Sequence, residues 1–381
     1  RPAGRPCERL AASPMTRLAH VIDAFGADFR AQYRDRLTAD HLRALAAMKH
    51  CRSEASPKMQ VACTACDHRT LVPHSCGHRH CPHCQHHESQ QWLERQMQRL
   101  VPADYYLVTF TLPAEFRPLA AAHPRIAYDL LMKSAWQTVR TFSQNDRQLA
   151  GMSGAIAVLH THSRRLDYHP HVHLVVPAAA VDAEQQRWRT KRRRGKGYLF
   201  SHKALAQVFR AKVLADITAA GLRLPERYPA DWVVDCQSVG SGASALIYLG
   251  RYLYRGVIRE QDILACHDGQ VTFRYRHAKT GRMEQRTVAG ADFLWLVLQH
   301  VLPKGFRRAR NFGFLHPNCK RLIALLHLLL KFVPVLASAW LRERPPILCA
   351  CCGAVMQIVR TQIPSALAGG SSISPAARGA F

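Results

Sequence analysis

The sequence predicts an α+β protein carrying a small cysteine-rich unit ahead of its first core strand, and three observations support this. Short β-branched and aromatic runs read as strands: Tyr105–Leu112 (YYLVTFTL), Ala155–His160 (AIAVLH) and Tyr168–Pro177 (YHPHVHLVVP). Stretches of helical spacing separate them, as at Ile126, Leu130, Trp136 and Val139 within residues 125–149. Before the first strand, cysteines and histidines crowd together between Cys51 and Cys84.

Composition narrows the class of function. The chain has 381 residues, 48% of them hydrophobic, enough to bury at least one good core. Its 53 Lys and Arg against 26 Asp and Glu leave a net charge of +27, which calls for a polyanionic partner. Nucleic acid fits best, because no basic amphipathic stretch with an apolar anchor marks a membrane surface. Thirteen cysteines mixed with histidines read as metal ligands in a reducing cytoplasm rather than a disulfide framework. The opening residues RPAGRPCERLAASP show no charged-then-apolar leader. The apolar stretch Leu322–Leu341 contains His327, Lys331 and Pro334, and is expected to form a core helix or helix pair rather than a membrane span.

In chain order, residues 1 to 50 have helical spacing, with Leu18, Val21, Ile22, Phe25 and Phe29 on one face and Leu42, Leu45 and Met48 on another. Two knuckles follow, Cys63-x-x-Cys66 and Cys81-x-x-Cys84, fourteen residues apart. Each pair offers two thiolates from a tight turn, so together they are expected to bind one tetrahedral zinc ion. Cys51, Cys76 and His80 remain as further candidate zinc ligands, either at a second site or replacing a member of the first. Trp92, Leu93, Gln96 and Leu100 place a helix after the knuckles. Past the strands already named, residues 201–220 read as a helix ending at Gly221, and Trp232–Val239 as a strand. A helix is expected after Gly240-Ser241-Gly242, a strand at Val271–Arg276 and a helix over Asp292–Leu302. Cys349-x-x-Cys352 is half of a zinc knuckle without a visible partner pair, and the tail GGSSISPAARGAF has the composition of a disordered segment.

Two of these elements carry chemistry. In YHPHVHLVVP, His171 and His173 lie two apart on a strand and so share a face, while Val172, Leu174 and Val176 point the other way. Two imidazoles aimed at one spot suit a divalent metal. If AIAVLH and HPHVHLVVP pair as a hairpin around THSRRLD, His160 lands near His171 and becomes a candidate third ligand, or else caps the strand in solvent. Downstream, Tyr248 and Tyr252 stand four apart on the helix SALIYLGRYLYRGVI, flanked by Arg251 and Arg255. Tyrosines at that spacing are commonly core residues, but two hydroxyls on one basic face could attack two phosphodiesters in turn. The run RWRTKRRRGK, Arg187–Lys196, holds seven positive charges, Arg192, Arg193 and Arg194 among them. It reads as a solvated loop able to clamp a nucleic-acid backbone, with Trp188 or Tyr198 free to stack on a base.

Taken in order, CTAC...SCGHRHCPHC with the following Trp92, LHT at Leu159–Thr161, HPHVHLVVP, YLGRYLYR and HVLPKGFRRARNFGFL resemble one family. It is the rolling-circle insertion-sequence transposases of the HUH two-tyrosine class, typified by insertion sequence ninety-one. The resemblance implies an HUH-type antiparallel sheet with packed helices, preceded by a small zinc-binding domain. It also implies an enzyme that nicks and joins single-stranded DNA at transposon ends through a 5′-phosphotyrosine. On that reading His171, His173 and a third ligand such as His160 hold Mg or Mn, structural zinc sits on the cysteines, Tyr248 and Tyr252 are the paired nucleophiles, and Arg251 with the basic run contacts DNA. The expected division is a helical and zinc-binding part over 1–100, a catalytic domain over 101–320 and a C-terminal region over 321–381, in a prokaryotic, nucleoid-associated protein. Two other readings compete: a zinc-dependent DNA-binding protein or inactive relic, and a metal-dependent hydrolase without a covalent step. The tyrosine pair separates the last from the first, since a hydrolase has no use for it.

Overall fold

The computed structural model describes residues 17–82, 84, 86–182, 184, 187–191, 198–253, 256–278, 280–334 and 346–364, without the side chains of His86, His87, Arg251 and Tyr252. Helices α1 (Leu18–Gln32) and α2 (Ala39–His50) lead into strands β1 (Lys58–Cys63) and β2 (Arg69–Pro73) and helix α3 (His86–Met97). The centre of the chain runs β3 (Tyr105–Thr111), α4 (Arg117–Ala122), α5 (Pro124–Asn145), β4 (Met152–His162), β5 (Tyr168–Pro177), β6 (Ala179–Asp182), β7 (Arg187–Thr190), α6 (His202–Ala219), β8 (Val234–Ser238) and α7 (Ala243–Leu253). Then come β9 (Ile263–His267), β10 (Gln270–Arg276), β11 (Met283–Ala289), α8 (Gly290–Leu298), β12 (Ala309–Gly313), α9 (Lys320–Leu329) and β13 (Met356–Ile363). The fold is α+β, with antiparallel pairing throughout the described sheets.

The central sheet has the order β7-β6-β4-β5-β3-β8, with β12 also pairing with β4. Because side chains alternate along a strand, each strand feeds two cores. Val108, Phe110, Leu159, Val172 and Leu174 join Leu131, Met132 and Val139 of α5 and Leu205 and Phe209 of α6 on one face. Ile156, Val158 and Val175 join Trp92 of α3, Leu246 and Leu249 of α7, and Ile323 and Leu326 of α9 on the other. The helix α5 buries Ala127, Leu131, Ala135 and Val139; of the expected stripe Val139 is buried, Leu130 and Trp136 pack partly buried against this core, and Ile126 remains 40% exposed.

A turn places α7 over the second face. Gly242 adopts φ +83°, and a Cβ there would lie 2.7 Å from the Tyr105 ring, so only glycine lets the chain cross this buried tyrosine into the helix. A separate core joins Leu18, Ile22 and Phe29 of α1 to Phe273 and to Phe293 and Leu294 of α8, beside the meander β9-β10-β11. A third, small sheet has the order β13-β1-β2. Within the apolar stretch 322–341, α9 buries Ile323 and Leu326, and residues 335–341 lie outside the described residues. No helix among the described residues is long and apolar enough to cross a membrane. The Gly- and Ser-rich tail also lies outside them.

Candidate functional site

The pairing of β4 with β5 sets His160 directly across from His171, and that of β3 with β5 sets Thr109 across from His173. All four side chains therefore project from one face, the one covered by α7. A ring nitrogen of each of His160, His171 and His173 lies within 4.8 Å of the others. The ring centroids of His160 and His173 are 4.6 Å apart, and those of His171 and His173 4.9 Å. The His169 carbonyl accepts a hydrogen bond from His171 Nδ1 at 2.7 Å, which puts the proton on Nδ1 and leaves the Nε2 lone pair for a ligand. Thr109 Oγ1 lies 2.9 Å from His173 Nδ1 and fixes that ring in the same manner.

Burial keeps the three imidazoles neutral. Removal from water, with the neighbouring histidines adding to it, holds His173 down at about 3. The same cause brings His171 to about 4 and puts His160 well below the ordinary histidine value. Neutral imidazole is the form that ligates a metal. Three neutral nitrogens converging on one point, with the His171 and His173 rings held from behind, fit a divalent cation.

The helix α7 brings Tyr248 to this cluster. Its ring centroid is 6.5 Å from that of His173, and the residue is 39% exposed, accessible to a substrate. Tyr252 and Arg251 lie on α7, but their side chains are outside the described residues, as are Arg192, Arg193 and Arg194 altogether. Trp188 is half-buried on β7, with its ring 5.6 Å from that of Phe314 in a T-shaped contact. The part of the basic run around it is a strand paired with β6 rather than a loop. Tyr198 is 61% exposed and contacts His202.

Two residues beside the site had no distinguishing signal in the sequence. Thr109 is one of three threonine or phenylalanine positions in an ordinary strand pattern. Arg308 is one of several arginines in a basic stretch, yet it is buried, and its Nε donates to the Leu159 carbonyl at 2.9 Å and its Nη1 to the Leu253 carbonyl at 3.5 Å. It thus ties the strand of His160 to the end of the tyrosine helix.

The cysteines form two clusters, not the single one expected from the two N-terminal knuckles. Cys81 and Cys84 are grouped with Cys51 and Cys76, whereas Cys63 and Cys66 are grouped with Cys349 and Cys352. The two knuckles cannot share an ion because Cys81 and Cys84 are buried in the core of α1 and α8, while Cys63 ends β1 in the small sheet. His80 is not part of either cluster: its Nε2 accepts a hydrogen bond from the Leu302 backbone N–H at 3.1 Å. In the first cluster Cys84 Sγ lies 3.5 Å from Cys51 and 3.6 Å from Cys76. Four sulfurs placed about 2.3 Å from a central zinc ion would stand about 3.8 Å apart, so this spacing fits a tetrahedral ion. Hydrogen bonds from Cys51, Cys76 and Cys81 hold the Cys84 thiol far below its ordinary value, and Cys51, bonded to Cys76 and Cys81, comes down to about 7.

The loop of this cluster touches the chain just past α7 and just before β12. A Cβ on Gly256, just past α7, would lie 3.1 Å from the His80 carbonyl oxygen. Arg79 donates to the Phe306 carbonyl at 3.0 Å from both Nη1 and Nη2.

Residues 154–322 match the family described as "Putative transposase", and residues 21–112 match the "Transposase zinc-binding domain". A putative transposase, y4qJ, of Sinorhizobium fredii is 32% identical over 321 residues, covering 78% of this chain and 80% of the relative. The transposase for insertion sequence element IS801 of Pseudomonas savastanoi pv. phaseolicola is 30% identical over 329 residues, covering 77% and 76%. Among solved structures, the conjugative relaxase TrwC in complex with OriT DNA, in a metal-free structure, aligns at a TM-score of 0.23 and 19% identity, over 33% of this chain and 48% of that one. With identity at this level over most of both chains and both domain matches in place, the chain belongs to the insertion-sequence transposases of the insertion sequence ninety-one family.

Proposed function

We propose that the chain nicks and rejoins single-stranded DNA at transposon ends through a 5′-phosphotyrosine intermediate, as in rolling-circle transposition. The observation that carries this reading is the convergence of His160, His171 and His173 beneath a helix whose Tyr248 ring is 6.5 Å from His173. The three imidazoles would hold Mg or Mn, which when bound supplies polarisation of the scissile phosphate and offsets charge on the departing oxygen. Tyr248 Oη attacks the phosphorus as it loses its proton, forming a tyrosine–phosphate ester on the 5′ side. The bond to the 3′ oxygen breaks, and that oxygen leaves as a hydroxyl. The ester keeps the energy of the broken bond, so a 3′-hydroxyl can reverse the reaction without ATP. Tyr252, four residues further along α7, would accept the second strand. Thr109 and the His169 carbonyl hold the ligand rings, and Arg308 holds the helix end to the sheet. Arg251 and Arg192–Arg194 supply phosphate contacts that raise affinity without reading sequence. On this reading residues 101–320 carry the chemistry and the flanking parts support it.

The test is a covalent adduct. Incubated with a single-stranded oligonucleotide carrying the element's end and Mg or Mn, the protein should form a species that survives denaturing electrophoresis. Tyr248→Phe combined with Tyr252→Phe should abolish it. An undiminished adduct in the double variant would show that other residues are the nucleophiles.

A further inference from the structure

The peripheral cysteine cluster joins two segments 283 or more positions apart in the chain. Cys63 Sγ lies 3.4 Å from Cys352, and Cys66 Sγ lies 3.8 Å from Cys349 and 3.7 Å from Cys352. These are again the separations of sulfurs around one tetrahedral ion, and well above the ~2.05 Å of a disulfide. Both knuckles also have the backbone that thiolates require. The Ala65 N–H donates to Cys63 Sγ at 3.3 Å and the Cys351 N–H to Cys349 Sγ at 3.4 Å, while Gly353 turns the chain at φ +72°.

The surrounding sheet has little else to hold it. Its buried apolar residues are Val61, Cys349 and Met356. Strand β13 is exposed along nearly its whole length, with Ile358 and Val359 at 57% and 61%, and its pairing with β1 is irregular between Lys58 and Val61. A core so small does not order a segment by apolar burial, and units of this size are ordinarily stapled by a metal or disulfides. The zinc-binding family match spans residues 21–112 and so includes only one side of this cluster.

We infer that Cys63, Cys66, Cys349 and Cys352 bind a second zinc ion, distinct from that of Cys51, Cys76, Cys81 and Cys84, and that this ion clasps residues 346–364 onto the N-terminal hairpin. The inference does not depend on the strand-transfer reaction, since it concerns thiolates on a separate sheet. His68 and Cys351 lie near Cys349 but are not ligands in this assignment.

The experiment is zinc quantification on the full-length protein together with differential alkylation read by mass spectrometry. Cys349→Ser combined with Cys352→Ser should bind one zinc ion fewer per chain than the parent, while Cys351→Ser should bind the same number. In the unmutated protein, Cys63, Cys66, Cys349 and Cys352 should be alkylated at least tenfold faster after chelation, and protease should then cut within 346–364. Unchanged zinc content in the double variant would overturn the proposal. So would alkylation rates at the four cysteines that do not respond to chelator, a readout that does not need the variant to fold. A Cys63–Cys352 or Cys66–Cys349 disulfide in freshly purified protein would overturn it as well.

Discussion

The two cysteine clusters use the same chemistry in opposite surroundings. The inner one, Cys51, Cys76, Cys81 and Cys84, has two members built into the core of α1 and α8, and its loop lies against Gly256, just past α7, and Phe306. The outer one, Cys63, Cys66, Cys349 and Cys352, lies on a sheet whose own core is three residues. Binding a metal to the first should set how the tyrosine helix sits. Binding one to the second should set only whether a distant segment is attached. The difference shows that identical ligands acquire different consequences from what they are packed against, since thiolates define an ion's geometry but not its mechanical load.

The largest effect should come from breaking the inner cluster. Cys81→Ser leaves an incomplete zinc site and a polar group in a fully buried position, so melting should fall by at least about 5 °C and adduct formation by more than about tenfold. If calorimetry and the adduct assay show Cys81→Ser no more affected than Cys349→Ser with Cys352→Ser, the contrast between the clusters is wrong. A smaller and more selective effect is expected from Thr109→Val, which removes the hydroxyl beside His173 without touching either cluster. Adduct formation should drop about 10- to 100-fold with zinc content unchanged. Loss of zinc in that variant would mean the two regions are coupled more tightly than their contacts indicate.

The smallest expected effect separates the inner region by pH. His300 is buried and His171 and His80 are half-buried, and loss of water around the rings holds His171 and His300 at about 4 and His80 well below its ordinary value. In the unfolded chain they titrate near the usual ~6.5, so the folded state binds fewer protons as acid is added. Their contribution to stability is therefore fully present above about pH 6.5 and is lost as the pH falls toward 4. Chelator-treated protein should melt a few degrees lower at pH 5 than at pH 7. Equal melting temperatures at the two values would argue that these rings are not buried as neutral groups.

The active-site strands were legible because their logic is local. His171 and His173 share a face by the two-residue period of a strand, and His160 reaches them through a hairpin whose turn is a few residues long. The helix of Tyr248 was equally readable from its spacing. Each CxxC pair stays together in one cluster, but what completes it, Cys51 and Cys76 for Cys81 and Cys84 and the second knuckle Cys349 and Cys352 for Cys63 and Cys66, was not available to spacing. The nearest pair in sequence, Cys63 with Cys81, is separated in space, and the half knuckle at Cys349 finds its complement at the other end of the chain. Spacing likewise gave no sign that Trp188, within a basic run, would lie on a strand with its ring against Phe314.

By itself, then, the sequence determined the α+β class, the strand that presents His171 and His173, the helix that carries Tyr248 and Tyr252, and the grouping of Cys63 with Cys66, Cys81 with Cys84 and Cys349 with Cys352. These follow from periodicities of two and 3.6 residues and from tight turns, interactions that close within a few positions. Only the tertiary structure decided that α7 lies over the histidine face, that Thr109 and Arg308 serve that site, and that the cysteines divide into an inner and an outer cluster. Those arrangements depend on which apolar faces bury against one another across hundreds of residues, and two thiolate pairs are chemically indifferent to which other pair completes their ion.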